Sequence, residues 1–295
     1  MYVKESFLRG KMIRRVLVAL DPDVDTQIAT MYGIALEKKN KASITGLAVV
    51  DSAKFSYYYE GGGIGTLYYP DNLSDYFTEN ARKEARKLLA NFKQSVTTAK
   101  VRHTEVMREG VSYQRIIEDM KYHDLLVIGR DSHFFYDRPN HDTNTLAKVV
   151  KKSNMPTLVV TKSYKKVTKI LVAYDESLAA ARTLQLFVNL QPFGTDVEFE
   201  LVNVNEGGVD FTIQDSNLIL NLASEYLKTH GYNKINVKVL EHESPGEALL
   251  KYQKSIGAHL FILGAHSMSA LKHLAFGSTT HYLITKSDIP LFMCH

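Results

Sequence analysis

The sequence predicts an α/β fold made of two tandem domains, each a five-stranded parallel sheet flanked by helices. Three observations predict it: short apolar runs of strand length, amphipathic stretches alternating with them, and a repeat of the whole pattern at about half the chain. Arg14 to Asp21 reads Arg-Arg-Val-Leu-Val-Ala-Leu-Asp, and Thr168 to Asp175 reads Thr-Lys-Ile-Leu-Val-Ala-Tyr-Asp. Both are continuous apolar runs that end on Asp, as expected of strands buried on both faces. Asp124 to Gly129 pairs in the same way with His259 to Gly264, and Met155 to Val160 with Ile289 to Cys294. Three matched segments in one order mark a duplication.

The remaining elements fill the gaps between these runs. Second strands are expected at Ser43–Val50 and Glu198–Asn205, and third strands near Lys100–Met107 and Asn236–Glu241. Helical spacing of apolar residues covers Thr26–Lys39, Asp75–Phe92, Ser112–Tyr122 and a segment from 143 onward in the first half. It covers Ala179–Leu190, Gln214–His230, Pro245–Ser255 and a segment through Ser287 in the second. Strand–helix alternation of this length implies right-handed βαβ units. The polar, basic stretch Lys162–Lys166 joins the halves, giving domains at 1–163 and 164–295. The join is short, so the halves should pack together. Each last strand is apolar and follows a proline, and pairing the two across a pseudo-twofold axis would cover both edges as an internal pseudo-dimer.

Composition narrows the function. The chain has 295 residues, 45% of them hydrophobic and 23% charged, as in a soluble globular protein. A net charge of +4 over 36 basic and 32 acidic residues gives no footprint for nucleic acid. No apolar run is long enough to span a bilayer, and the basic N-terminus lacks the apolar core of a secretory signal. A single cysteine, Cys294, excludes an internal disulfide framework. Cys294 falls on the last strand and is expected to be an inert core residue. A cytoplasmic location is the expectation. Eleven histidines, five of them among His259, His266, His273, His281 and His295, show no zinc-helix spacing and are expected to be surface or capping residues. No Gly-x-x-x-x-Gly-Lys-Ser/Thr run exists, so the chain is not a P-loop NTPase.

The chemistry-bearing pattern lies in the second half. In open α/β sheets ligands sit beyond the carboxyl ends of the strands, where the winding reverses. There the sequence places Asp175, Val204 and Gly264, then Ala265-His266-Ser267, and nine residues later Gly277-Ser278-Thr279 opening a helix. Gly264 is expected to let the backbone turn and approach a ligand. Gly277 and Ser278 put unpartnered N–H groups at a positive helix end, an anion site. The competing reading is that Ser278 or Thr279 simply caps the helix.

With these residues in place, the second half resembles a universal stress protein domain, a Rossmann-like fold of the adenine-nucleotide alpha-hydrolase-like type. Nucleotide-binding members carry Gly, two residues, Gly, nine residues, then Gly-Ser or Gly-Thr; here Gly264, Ser267 and Gly277-Ser278 stand at those positions, with Ser267 replacing the middle glycine. The resemblance implies that Asp175 faces the adenosine moiety and Val204 lines the adenine pocket, with Ala173 and Leu263 flanking. It places His266 in the phosphate loop. It implies a stress-response module binding ATP, ADP or AMP, with Mg²⁺ as an accompanying ion and a homodimer of the tandem chain as one assembly. The first half keeps the spacing, from Gly129 through Arg130-Asp131-Ser132, but has Asp142-Thr143 where the glycine would be. A carboxylate there caps the helix and repels phosphate, so that motif is expected to be degenerate. The alternative is a ligand without a polyphosphate.

Two other functions stay open on sequence. One is a slow ATPase or nucleotide-dependent transferase, for which the loop offers His266 and Lys272 but no evident acidic Mg²⁺ ligand. The other is a scaffold with both clefts vestigial. The insert Ser52–Pro70, with Gly61 to Gly65 and several tyrosines, reads as a lid, a partner surface or a loop whose tyrosines pack on neighbouring helices.

Overall fold

The computed structural model describes residues 12–23, 25–51, 72–130, 145–207, 212–265 and 276–295. The first half runs β1 (Arg15–Leu20), α1 (Asp25–Asn40), β2 (Ser43–Val50), α2 (Asn72–Thr98), β3 (His103–Glu109), α3 (Ser112–Met120), β4 (Leu125–Gly129), α4 (Thr145–Lys152) and β5 (Thr157–Val160). The second runs β6 (Lys169–Ala173), α5 (Leu178–Leu190), β7 (Glu198–Asn205), α6 (Ile213–Thr229), β8 (Ile235–Glu241), α7 (Pro245–Ile256), β9 (Leu260–Gly264), α8 (Ser278–Lys286) and β10 (Leu291–Cys294). The insert Ser52–Pro70 lies outside the described residues.

The expected elements are present, with shifted ends. The third strand begins at His103, later than the expected Lys100, because α2 continues six residues past Phe92 to Thr98. Phe92 and Val96 are both buried, so the apolar stripe carries the helix onward. Lys100 then adopts a left-handed φ of 56°, and Val101 N–H bonds back to Val96 O at 3.1 Å, closing the helix.

The ten strands form one continuous sheet in the order β3-β2-β1-β4-β5-β10-β9-β6-β7-β8. Each half contributes five strands that are parallel within it. The halves meet where β5 and β10 pair antiparallel, Val159 opposite Leu291, Leu158 opposite Phe292 and Thr157 opposite Met293. The expected pseudo-dimer is thus a single shared sheet, because the two short edges hydrogen-bond to each other.

Helices cover both faces. One core holds α1, α2, α5 and α6 against Val16, Val18, Leu158, Ile170, Val172 and Phe292. The other holds α3, α4, α7 and α8 against Leu17, Val159, Leu171, Phe261 and Leu291. Both cores run through the junction between the halves. Phe292 is fully buried there and meets Phe187 edge-on at 5.1 Å. Around the seam, Thr161 Oγ1 donates to Asp288 O at 3.0 Å, and the Tyr32 hydroxyl both donates to Lys165 O and accepts from Lys165 N–H at 3.1 Å. Asn40 Nδ2 donates to Pro192 O at 2.9 Å. Cys294 is buried, and burial pushes its thiol pKa up, away from reactivity. Among the described residues no helix is long and apolar enough to cross a membrane.

The shared sheet makes the halves one thermodynamic unit. Phe292→Asp is expected to cost about 3–5 kcal/mol, from the lost ring and a buried unpaired charge, and to lower the stability of both halves together. Hydrogen exchange read at β1–β2 and at β6–β7 checks this. Loss of protection in the second half alone would show that the seam does not couple them.

Candidate functional site

The strand order fixes where a crevice opens. β6 lies beside β9, and from this pair the chain winds outward in opposite directions, to β7–β8 and to β10. The carboxyl ends of β6 and β9 therefore diverge from a switch point. Ala173 stands opposite Leu263 and opposite Val202. Ala173, Val204 and Leu263 fall on the same sheet face, that of α7 and α8, together with Ala265 and Phe276. Leu263 is buried, whereas Ala173 and Val204 are half-buried at the strand ends. The three apolar residues singled out from the sequence thus gather at one end of one face.

The start of α8 closes this end. Gly277 is the N-cap residue, with φ −60° and ψ 159°, and as a glycine it has no side chain with which to cap the helix. Ser278 is the first helical residue and is exposed; Thr279 is half-buried. The alternative that Ser278 or Thr279 caps the helix is therefore not realised. A cap needs non-helical backbone before the first turn, and that position belongs to Gly277, which has no side chain to offer. The first turn is tied to the strand by Thr280, whose Oγ1 donates to Gly264 O at 3.2 Å.

Gly264 has a different role from the one expected. Its φ does not lie in the left-handed region, so no sharp turn demands glycine. A Cβ there would sit 2.6 Å from Ala180 N and 2.7 Å from Ala179 C, inside the backbone of α5. Glycine is needed because the first turn of α5 packs directly on the end of β9. Ser177 caps that turn, its Oγ accepting from Ala180 N–H at 3.2 Å.

Asp175 lies two residues beyond the end of β6 and is exposed; its Oδ1 accepts from Ser177 N–H at 3.0 Å. That bond orients the carboxylate over the α5 start. The neighbouring strand end is held by a buried network with no motif to announce it. Asn203 Nδ2 donates to Tyr174 O at 2.9 Å, and Ser216 Oγ donates to Asn203 Oδ1 at 2.8 Å. Asn205 Oδ1 accepts from Gly207 N–H at 2.8 Å. Asn203, Asn205 and Ser216 are all buried. The sequence carries one signal for them: Asn203 and Asn205 alternate with Val202 and Val204 at the end of the strand and so share a face.

His266 and Ser267 lie outside the described residues, as does Asp142 in the first half. The first half's strand ends nonetheless differ visibly. Asp21, the counterpart of Asp175, is buried, as are Asp25 and Asp51. Asp51 Oδ2 accepts from both the N–H and the hydroxyl of Ser112, at 3.0 and 2.8 Å. Among the described residues no group of three or more His, Cys, Asp or Glu is arranged to hold a metal ion.

Two tandem copies of a parallel α/β unit, each with a topological switch point, match what comparison with known proteins finds. The sequence model of the universal stress protein family matches residues 12–161 and again residues 166–295. The chain belongs to the universal stress protein family. It is similar to universal stress protein Slr1230 of Synechocystis, 28% identical over 212 residues, which is 71% of each chain. Its fold is that of a universal stress protein from Archaeoglobus fulgidus DSM 4304, with a TM-score of 0.70, 19% identity and 97% of each chain covered. A stress-response role follows at the level of the family.

The buried network sets the shape of the crevice wall in this universal stress protein. Asn203→Asp keeps the size but points a carboxylate oxygen at Tyr174 O. It is expected to cost about 1–3 kcal/mol at neutral pH. The variant's carboxyl pKa would be raised in the folded state, so the loss should shrink as pH falls through that raised value toward the ordinary carboxylate value of about 4. Chemical denaturation between pH 4.5 and 8 reads this out; a pH-independent difference from the parent would refute the assigned hydrogen bond.

Proposed function

We propose that the second half binds an adenine nucleotide, ATP, ADP or AMP, in the crevice between β6 and β9, and that the chain acts as a binding module in the stress response. The observation that carries this reading is the start of α8: a helix N-terminus whose cap residue is a glycine, tied to the end of β9 at the switch point. A phosphate there would accept bonds from the N–H groups of Ser278, Thr279 and Thr280 and meet the positive end of the macrodipole. Each such interaction contributes on the order of 0.3–1 kcal/mol when exposed and more when partly enclosed.

The apolar end of the crevice suits the base. Ala173 and Val204 offer half-buried, small apolar surface, and Asp175 is positioned beyond β6 to accept from a ribose hydroxyl or an adenine amino group. Mg²⁺ would arrive with a polyphosphate and neutralise part of its charge. In the first half, the buried carboxylates of Asp51 and of Asp25, which stands where the second half has Ala179, disfavour a polyphosphate, which supports a single nucleotide site per chain.

Isothermal titration of nucleotide-free protein with ATP, ADP and AMP tests the proposal, with Gly277→Asp as the control. The φ of −60° at Gly277 accepts any residue, and Asp is a good N-cap, so the variant should be as stable as the parent. Its carboxylate should nevertheless occupy the N–H groups and repel phosphate, weakening binding at least about tenfold. Failure of all three nucleotides to bind at millimolar concentration would overturn the proposal, as would equal affinity in Gly277→Asp.

A further inference from the structure

The helix that would receive the phosphates is held at its other end by the opposite half of the chain. Arg130 immediately follows β4 of the first half. Its Nη1 donates to Ser287 O at 2.9 Å and reaches Ile284 O at 3.5 Å, across more than 150 residues of sequence. These carbonyls are at the C-terminal end of α8, whose last helical residue is Lys286. A guanidinium there meets carbonyls left without helical partners and the negative end of the macrodipole. Charge-assisted bonds of this kind are about twice as strong as neutral ones.

The duplication shows that this contact is specific. The counterpart of Arg130 in the second half is Ala265. The backbones of the two do the same thing: Arg130 N–H donates to Val160 O at 3.0 Å, and Ala265 N–H to Cys294 O at 2.8 Å. The receiving ends also match. Ser153 Oγ donates to Met155 O, and Ser287 Oγ to Ile289 O, at 3.2 and 2.8 Å. Only the side chain differs. Alanine cannot donate, so the second half sends no equivalent bond to the end of α4 from this position. From this position, support runs from the first half to α8 and not back.

We propose that Arg130 is a positioning residue through which the first half sets the phosphate affinity of the second, by pinning the C-terminal end of α8 while Thr280 ties its first turn to Gly264. With both ends held, the N–H groups of the first turn are fixed relative to the strand ends that would hold the base. Released at one end, α8 can shift or fray, and the phosphates lose their preset donors while the base keeps its contacts on β6 and β7. Coupling of this kind is reciprocal, so nucleotide in the second half also holds Arg130 in place. The inference rests on the proposed nucleotide site for its ligand, but not for the contact itself.

The test uses the full chain with Arg130→Ala, Arg130→Gln and Arg130→Lys. Affinities for ATP and for adenosine, which lacks phosphate, are measured side by side. Arg130→Ala and Arg130→Gln are expected to weaken ATP about three- to tenfold and to leave adenosine within about twofold, with Arg130→Lys recovering part of the loss. An equal loss for ATP and adenosine would reduce Arg130 to a general structural role and overturn the proposal, as would no loss for either. Hydrogen exchange of the ligand-free proteins separates this from failure of the nucleotide site. Arg130→Ala should accelerate exchange at His281 to Ile284 even where the parent binds no nucleotide; unchanged exchange there would overturn the pinning itself.

Discussion

Two short apolar strands that cannot be left facing water determine the shape of this molecule. β5 and β10 have four residues each, all buried, and each begins directly after a proline that keeps its entry extended. Left as sheet edges, their unpaired N–H and C=O groups would invite another chain. Their antiparallel pairing satisfies those groups and merges two five-stranded sheets into one. The remaining edges, β3 and β8, are richer in exposed polar residues and tolerate water. The same pairing brings the end of β4 to the back of α8, so the seam that stabilises the fold also decides which residue of one half can touch the other's candidate site.

The two halves share a backbone plan and have diverged at their strand ends. Ahead of β4, the Asp124 carboxylate accepts from the N–H groups of Arg14 and Arg15, at 2.8 and 2.9 Å. His259 occupies the same place in the second half, its Nδ1 within 3.4 Å of the Thr168 and Lys169 nitrogens. Those pairs show one geometry met by two chemistries. Asp21 is buried where Asp175 is exposed, and Arg130 reaches across the seam where Ala265 cannot. The first half buries Asp21, Asp25 and Asp51 and sends Arg130 across the seam, and the second opens α8 on a glycine.

Most of the fold was legible because the strands are continuous apolar runs and the halves confirm each other. The antiparallel seam was legible for the same reason, since an apolar strand after X-Pro at a sheet edge has few alternatives. Helix and strand ends were less so: the burial of Val96 carries α2 past its expected end, and no local rule announces it. At the site, Ala173, Val204 and Leu263 were named through the family resemblance, and the strand order puts them on one face. The reason for Gly264 could not. Its requirement comes from the first turn of α5, which lies far away in sequence and near only in the fold. The Asn203–Ser216 network and the Arg130 contact were hidden likewise, because neither partner of a long-range hydrogen bond carries a motif.

The central proposal is that a single chain offers one adenine-nucleotide site and that it lies in the second half. Native mass spectrometry of the intact chain, freed of carried-over ligand and titrated with ATP, counts bound nucleotides directly. One nucleotide per chain in the parent and none in Gly277→Asp is the result this account predicts. Two per chain, or one that persists in Gly277→Asp, would contradict it.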